Sequence, residues 1–547
     1  MPPKPDILFK NGKIWTGDPR NPSATHLTCT GGRITSVGRG KSQADDAIDT
    51  IDLNGHFAMP GFIDAHTHFR TGGSSLTRLD LHSVRSETEF AEAVSSYANS
   101  RHGGEWILGG NWDHENLDSR RLPTKDLIDN FTSAIPAFLD RIDTHMALVN
   151  SKALELAGIT RETPDPPGGI ITRDERGEPT GIVKDAAREM VMRVIPEPRM
   201  EDLVRDARAA VKLASRLGVT TVNDMSPERD MRAYIVLKEK GELTVRINMV
   251  LPIDRSRTLG SRGIQADAHG VTDEWIRLGA VKAFADGSLG AGTAWFFDAY
   301  DDDKKNCGIA TDILSSGELE KLATEADRDH IQLAVHAIGD KAVSRVLDIF
   351  ERIQRQNPAW DRRFRIEHAQ HLRDEDFSRF KKLYVIASVQ PYHCADDGRW
   401  AERKIGARRA NSAFAFRRFL DEQIVLAFGT DWPVAPLNPL EGIHAAVTRA
   451  TTDGKHPGGW IPEQKIGLEE ALRAYTYGSA FASFSEREKG TLEPGKLADV
   501  VVLSKNPFEA APDEISKIKV IMTVVGGKIV HADEQIFGSE RHGITTS

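Results

Sequence analysis

Six side chains that can bind metal stand at the ends of short apolar runs in this chain. They are His66 and His68 in MPGFIDAHTHFR, Lys282 in LGAVKAFADG, His336 in IQLAVHAIGD, His368 in FRIEHAQ and Asp431 in IVLAFGTDWP. On a strand, residues i and i+2 point to one face, so His66 and His68 can reach one ion together. Neutral imidazole is a good ligand for zinc, manganese, iron or nickel. A lone HxH pair is weak evidence, because such pairs also occur with no ligand. His336 and His368, each taken alone, read first as core histidines with satisfied hydrogen bonds, and Asp431 as a cap for the next helix. Lys282 is harder to place, since burial in an apolar strand disfavours its ammonium. It needs a carboxylate such as Asp286 or Asp224 beside it, or a different chemical form. The set as a whole, in the order HxH, Lys, His, His, Asp, has no ready structural explanation and points to a metal centre.

The elements that must position this set follow from the apolar pattern. AMPGFIDAHTH, VTTVNDM, RINMVLP, IRLGAVKAFADG, IQLAVHAIGD, FRIEHAQ, YVIASVQP and IVLAFGTDWP are eight short strand-like runs. Helical spacing lies between them. Leu203, Val204, Ala207, Ala210, Val211, Ala214 and Leu217 recur on one face and stop at Gly218. Val343, Val346, Leu347, Phe350 and Ile353 do the same after the fifth run. Strands alternating with helices imply a parallel sheet, and eight of them suggest a closed (β/α)8 barrel over 59–484. In such a barrel catalytic groups sit at the C-terminal strand ends, which is where these residues fall. The first two runs are separated by about 150 residues, too long for one connection, so an inserted subdomain is expected at about 75–195. Both termini have another texture: short alternating segments broken by Gly, Asn and Asp. Residues 1–58 and 485–547 are expected to pair into one small β-sandwich.

Composition narrows the class. The chain has 547 residues, 39% apolar and 28% charged, with 71 basic and 80 acidic side chains and net charge −9. That balance argues against nucleic acid or an anionic membrane as partner. No run reaches the ~20 apolar residues of a membrane helix, and no signal-peptide pattern opens the chain. Cys29, Cys307 and Cys394 lie far apart without CxxC spacing, which fits a reducing, cytoplasmic setting and disfavours a thiolate zinc site.

PGFIDAHTH, VKAFADGSLG, VHAIGD, RIEHAQ, SVQPYHCADDGRW and GTDWPV occur in this order, with TGGRITSVG early and LEPGKLADVVVLSKNP late. This series resembles the amidohydrolase superfamily, in its YtcJ-like (amidohydrolase 3) branch, over nearly the whole chain. The resemblance implies a metal-bearing barrel with a composite β-sandwich and hydrolysis of a C–N bond. It implies His66, His68, Lys282, His336, His368 and Asp431 as ligands of one or two divalent ions, zinc first. It also implies that Lys282 can be carboxylated to N6-carboxylysine, turning an awkward cation into a bridging anion. A divalent ion lowers the pKa of water towards roughly 7, and Asp431 then serves as general base and returns the proton to the leaving nitrogen.

Trp112 and Asp113 in GGNWDHENL, and His145 in FLDRIDTHMALVN, are candidate substrate contacts from the insert. Trp112 reads equally as packing for the insert. Ser288, His393 and Asp397 are further candidates at the barrel mouth. The expected partner is a small amide, N-acyl or N-formyl compound, and a homodimer is the expected assembly. The alternatives are a mononuclear deaminase of a heterocyclic amine, disfavoured because AIGD follows His336 without HxxE, and a lactone or carbamate hydrolase. A scaffold without catalysis is a further alternative, and the complete ligand set speaks against it. A phosphate-binding barrel lacks GxGxxG or P-loop spacing.

Overall fold

The computed structural model of the chain describes residues 4–40, 47–100, 105–132, 134–255 and 273–537. All eight apolar runs are strands: β1 (Phe62–Thr67), β2 (Val219–Asp224), β3 (Arg246–Pro252), β4 (Ile276–Phe284), β5 (Gln332–Ala337), β6 (Arg365–His368), β7 (Ile386–Val389) and β8 (Leu426–Phe428). Every residue of β1, β2 and β5 to β8 is buried. That is why these runs lack an exposed polar face: a parallel barrel strand is covered on both faces. The strands pair in chain order, all parallel, from β1 to β8.

The barrel is nearly closed by a bond just beyond β8, where the Asp431 amide donates to the His66 carbonyl at 2.7 Å. This closing contact sets Asp431 beside His66. Gly429 permits it, since a Cβ there would lie 2.5 Å from the His66 amide nitrogen. The helices cover the outside as their periodicity requires. Met200–Arg216 buries Leu203, Val204, Ala207, Ala210, Val211 and Ala214, and Gly218 follows with φ +74°. Asp340–Gln356 buries Val343, Val346, Leu347, Phe350 and Ile353. Each Val, Leu, Ile or Phe among them contributes roughly 1.5–3 kcal/mol when fully buried.

The insert is a six-stranded sheet running from Leu79–Asp80 to Pro179–Asp185 in sequence. Its two faces carry separate apolar clusters, one around Phe90, Ile107, Trp112 and Leu139, the other around Phe138, Val149, Val183 and Val191. The termini form a four-stranded and a six-stranded sheet sharing an apolar core that includes Phe9, Leu27, Leu53, Val502 and Val524. In the larger sheet Phe57–Pro60 pairs antiparallel with Val500–Leu503. A buried bidentate ion pair ties this unit to β3: Arg246 Nε and Nη2 donate to Asp499 Oδ2 and Oδ1 at 2.8 and 3.0 Å. No helix among the described residues is long and apolar enough to cross a membrane.

Candidate metal centre

His66 and His68 leave β1 with their Nε2 atoms on the same carboxylate oxygen, 3.3 and 3.4 Å from Asp431 Oδ1. The far nitrogen of each ring explains the orientation. His66 Nδ1 is 2.6 Å from Glu367 Oε2, and His68 Nδ1 is 3.0 Å from the Met225 carbonyl oxygen. Donation from Nδ1 to these acceptors fixes the tautomer that leaves Nε2 free as a ligand. His368, at the end of β6, faces the same space with its ring centroid 5.1 Å from that of His66. One ligand atom each of His66, His368 and Asp431 fall within 4.8 Å of one another. His368 and Asp431 have φ of 72° and 60°. This left-handed backbone turns the chain out of the barrel at the ligand itself.

Two observations show that this donor set fits a cation. Asp431 Oδ1 and His368 Nδ1 are buried without a hydrogen-bond partner. Buried polar atoms are rarely left so, unless an ion or water completes them. The protonation states of His368 and Asp431 agree. Burial holds His368 well below its ordinary pKa, so the ring is neutral. Burial pushes the Asp431 carboxyl up, but His66 and His68 outweigh it and keep it ionised, well below the usual carboxylate range.

Lys282 points into the same interior, with Nζ 3.4 Å from His66 Nε2. Burial brings its pKa down to about 8, against the pull of Glu367 and Asp431. Neither anticipated ion pair is present. Asp286 accepts instead from the backbone amides of Trp295, Ile338 and Gly339. Asp224 accepts from the Phe69 amide, Ser226 Oγ and Tyr234 Oη. His336 stands next to the cluster, its ring centroid 4.5 Å from that of His368, and its Nε2 donates to the Gly287 carbonyl at 3.0 Å.

A cavity of about 400 Å³ opens beside this group, lined from the barrel by His336, His368, His393, Asp397 and Asp431, and from the insert by His145 and Arg141. Ser288 also lines it, its Oγ donating to Asp143. His145 Nδ1 is 2.7 Å from Asp185 Oδ1, and its ring centroid is 5.0 Å from that of His336. His393 stacks on His368 at 6.1 Å, with its Nε2 buried and unpartnered. Burial and the adjacent Asp396 raise Asp397 to about 8, while Gln370 Nε2 donates to it at 2.7 Å.

Trp112 and Asp113 lie elsewhere. Trp112 is 1% exposed in the core of the insert, against Phe90, with Nε1 donating to the Leu139 carbonyl at 2.8 Å. It packs the insert, and its neighbour Asn111 is the one that lines the cavity. Asp113 is buried behind Arg141, pairing with it and with Arg399. Its part is to hold Arg141 in the wall rather than to reach the cavity.

Sequence reasoning missed Glu367, Arg141 and Asp185. Glu367 had a signal. Arg365 and Glu367, at i and i+2 on a fully buried strand, form a 2.7 Å ion pair, and opposite charges on one buried face call for a partner beyond the strand. Burial raises the Glu367 carboxyl, but Arg365 and His66 bring it down to about 2. Arg141 and Asp185 carried no comparable pattern.

Comparison with known proteins gives a consistent picture. Residues 49–531 match the model of the amidohydrolase family. Protein LONG AFTER FAR-RED 3 of Arabidopsis thaliana is 37% identical over 538 residues, covering 96% of this chain and 91% of that protein. The YtcJ protein of Bacillus subtilis is 31% identical over 492 residues, 88% of this chain and 90% of its own. An N-substituted formamide deformylase of Arthrobacter pascens is 28% identical over 543 residues, 95% and 97% respectively. Among solved structures, an uncharacterized metal-dependent hydrolase of Pyrococcus horikoshii superposes with a TM-score of 0.74 at 29% identity, covering 93% of this chain and 99% of that one.

Proposed function

This chain belongs to the amidohydrolase family of metal-dependent hydrolases, and from that premise we propose that it cleaves a non-peptide C–N bond, an amide or N-formyl or N-acyl group, in a small molecule. The observation that carries the reading is the convergence of His66, His68, His368 and Asp431 beside the cavity, with buried ligand atoms left without partners. The similarity to an N-substituted formamide deformylase supports the amide class.

His66, His68, His368 and Asp431 would hold a divalent ion, zinc first, with His336 and carboxylated Lys282 completing a second position. A cation bound there supplies Lewis-acid chemistry, acidifying water and polarising a carbonyl. The chain's own groups do the rest. Asp431, ionised beside His66 and His68 at the cavity, accepts the proton of the attacking water on its carboxylate and returns it to the leaving nitrogen. His393 Nε2, 4.0 Å from Asp431 Oδ2 and without a hydrogen bond, is placed to receive a substrate carbonyl or amine. His145, fixed by Asp185, holds the substrate from the insert side. A Lys282 amine near pKa 8 is neutral often enough to take up CO2.

The compact triad of His66, His368 and Asp431 also supports a one-metal reading, with deamination or lactone or carbamate hydrolysis as its chemistry. Elemental analysis of protein purified without chelator, for wild type and Lys282→Ala, separates the two. Near two metals per chain, falling in the variant, fits the bridged centre and N-formyl substrates. Near one in both fits the one-metal reading. No metal in either, with no hydrolysis of N-formyl amines, would sink the proposal.

A further inference from the structure

The insert contributes charged groups to the cavity wall, and nearly all of them are matched. Arg141 is held by Asp113 and Asp143, and on the barrel side of the cavity Asp396 is likewise held by Arg399. Arg78 is the exception. It stands one residue before the edge strand Leu79–Asp80 of the inserted sheet, partly buried and lining the cavity. Among the described residues its guanidinium has neither a hydrogen bond nor an ion pair. The carboxylates whose charge it feels, Asp206 and Asp140, are engaged elsewhere, Asp206 with Arg70 and Arg205 and Asp140 with Arg188. Asp80 follows on the strand, exposed, accepting from the His82 amide and Asn111 Nδ2 and making no ion pair with Arg78.

Burial disfavours the charge on Arg78. A guanidinium nevertheless keeps its proton at any ordinary pH, so this cation is partly desolvated with no anion in direct contact, and Asp206 and Asp140 act on it only from a distance. Its fork of donors matches a carboxylate in a bidentate pair, which a point charge would not do as well. The same cavity is lined by His368 and Asp431 of the candidate metal cluster, so a small molecule bound in it shares its walls with both Arg78 and that cluster.

We infer that Arg78 is a specificity-determining residue that binds a carboxylate carried by the substrate away from the scissile bond. The inference rests on the hydrolytic reading above and deepens it, narrowing the substrate class to small N-formyl or N-acyl compounds with an acidic tail.

The test uses N-formyl ω-amino acids of graded chain length, each beside its neutral primary amide, bound by calorimetry to the purified full-length, metal-loaded protein. The wild type should bind the best-fitting acid at least tenfold more tightly than its amide. Arg78→Gln should bring the two within threefold, and Arg78→Lys, which keeps the charge but not the fork, should fall between. No acid preference in the wild type would overturn the inference. So would a preference that survives in Arg78→Gln, since the carboxylate would then be held at the metal cluster. Turnover of the same compounds reads the hydrolytic proposal separately. An Arg78-dependent preference without hydrolysis would refute that proposal and leave this inference standing, whereas equal binding and hydrolysis of acid and amide would do the reverse.

Discussion

Replacing Glu367 by Gln tests whether the candidate metal centre is organised from behind. Glu367 and Arg365 side chains are both 0% exposed, joined at 2.7 Å, and the other Glu367 oxygen lies 2.6 Å from His66 Nδ1. Glutamine has nearly the same shape, so the change isolates charge and proton direction. Two effects follow. Arg365 loses its anion in a dry interior, a change expected to destabilise the fold by about 3–5 kcal/mol, the range found when one partner of a buried pair is removed. Its bonds to the Ala65 carbonyl and Ser388 Oγ remain, which favours the lower end. Meanwhile the amide must serve both Arg365 and His66 Nδ1–H with a single acceptor oxygen. One donor is left facing a donor, and His66 loses the partner that turns Nε2 towards Asp431. Loss of such an outer partner typically lowers metal affinity by 10–100-fold, which is about 1.4–2.8 kcal/mol at 1.4 kcal/mol per decade. Zinc affinity would be measured by competition with a chelating indicator, and stability by chemical denaturation of metal-free protein. Affinity unchanged within twofold in a folded variant would refute the claim that Glu367 orients His66. A stability loss below 1 kcal/mol would refute the claim that Arg365 depends on it.

Three further predictions follow from the same reasoning. Asp499→Asn leaves the Arg246 guanidinium, 1% exposed at its side chain, without its carboxylate, and should destabilise the chain by about 3–5 kcal/mol in denaturant titration; a loss under 1 kcal/mol would mean that Glu274 suffices as partner. Lys489 is buried, and burial with Arg246 nearby brings its pKa down to about 7. The unfolded chain, with an ordinary lysine near 10.4, therefore binds more protons between those values, so stability should rise with pH across that window by up to about 1.4 kcal/mol per unit. Lys489→Met should flatten that rise, as melts from pH 7.5 to 9.5 would show; an equal slope in both proteins would place the titration elsewhere. Trp112→Phe removes the bond to the Leu139 carbonyl and should cost about 1–3 kcal/mol of stability while leaving KM unchanged, and a tenfold change in KM would bring Trp112 back to the substrate.

Much of this molecule is legible in its sequence. The eight strands, the helix faces and the placing of His66, His68, Lys282, His336, His368 and Asp431 at or near strand ends all follow from periodicity, because a segment's pattern records which of its faces is buried. What lies across from that face is not recorded. Glu367 meets His66 over 301 residues, and Asp431 reaches it only because the last strand returns to the first. Trp112 and Asn111 differ by one position, yet one fills the insert and the other lines the cavity. Polar loop residues of the same kind follow opposite courses: His145 faces the cavity on Asp185, and Asp113 turns back to brace Arg141. Arg78 reads as one more surface arginine until the insert folds over the barrel mouth and leaves it beside the cavity without a partner. The sequence alone determined the barrel and the candidate ligand residues at its strand ends, since both depend on local spacing. The tertiary structure alone decided which atoms those residues face, because distant segments are brought together by closure of the barrel and docking of the insert.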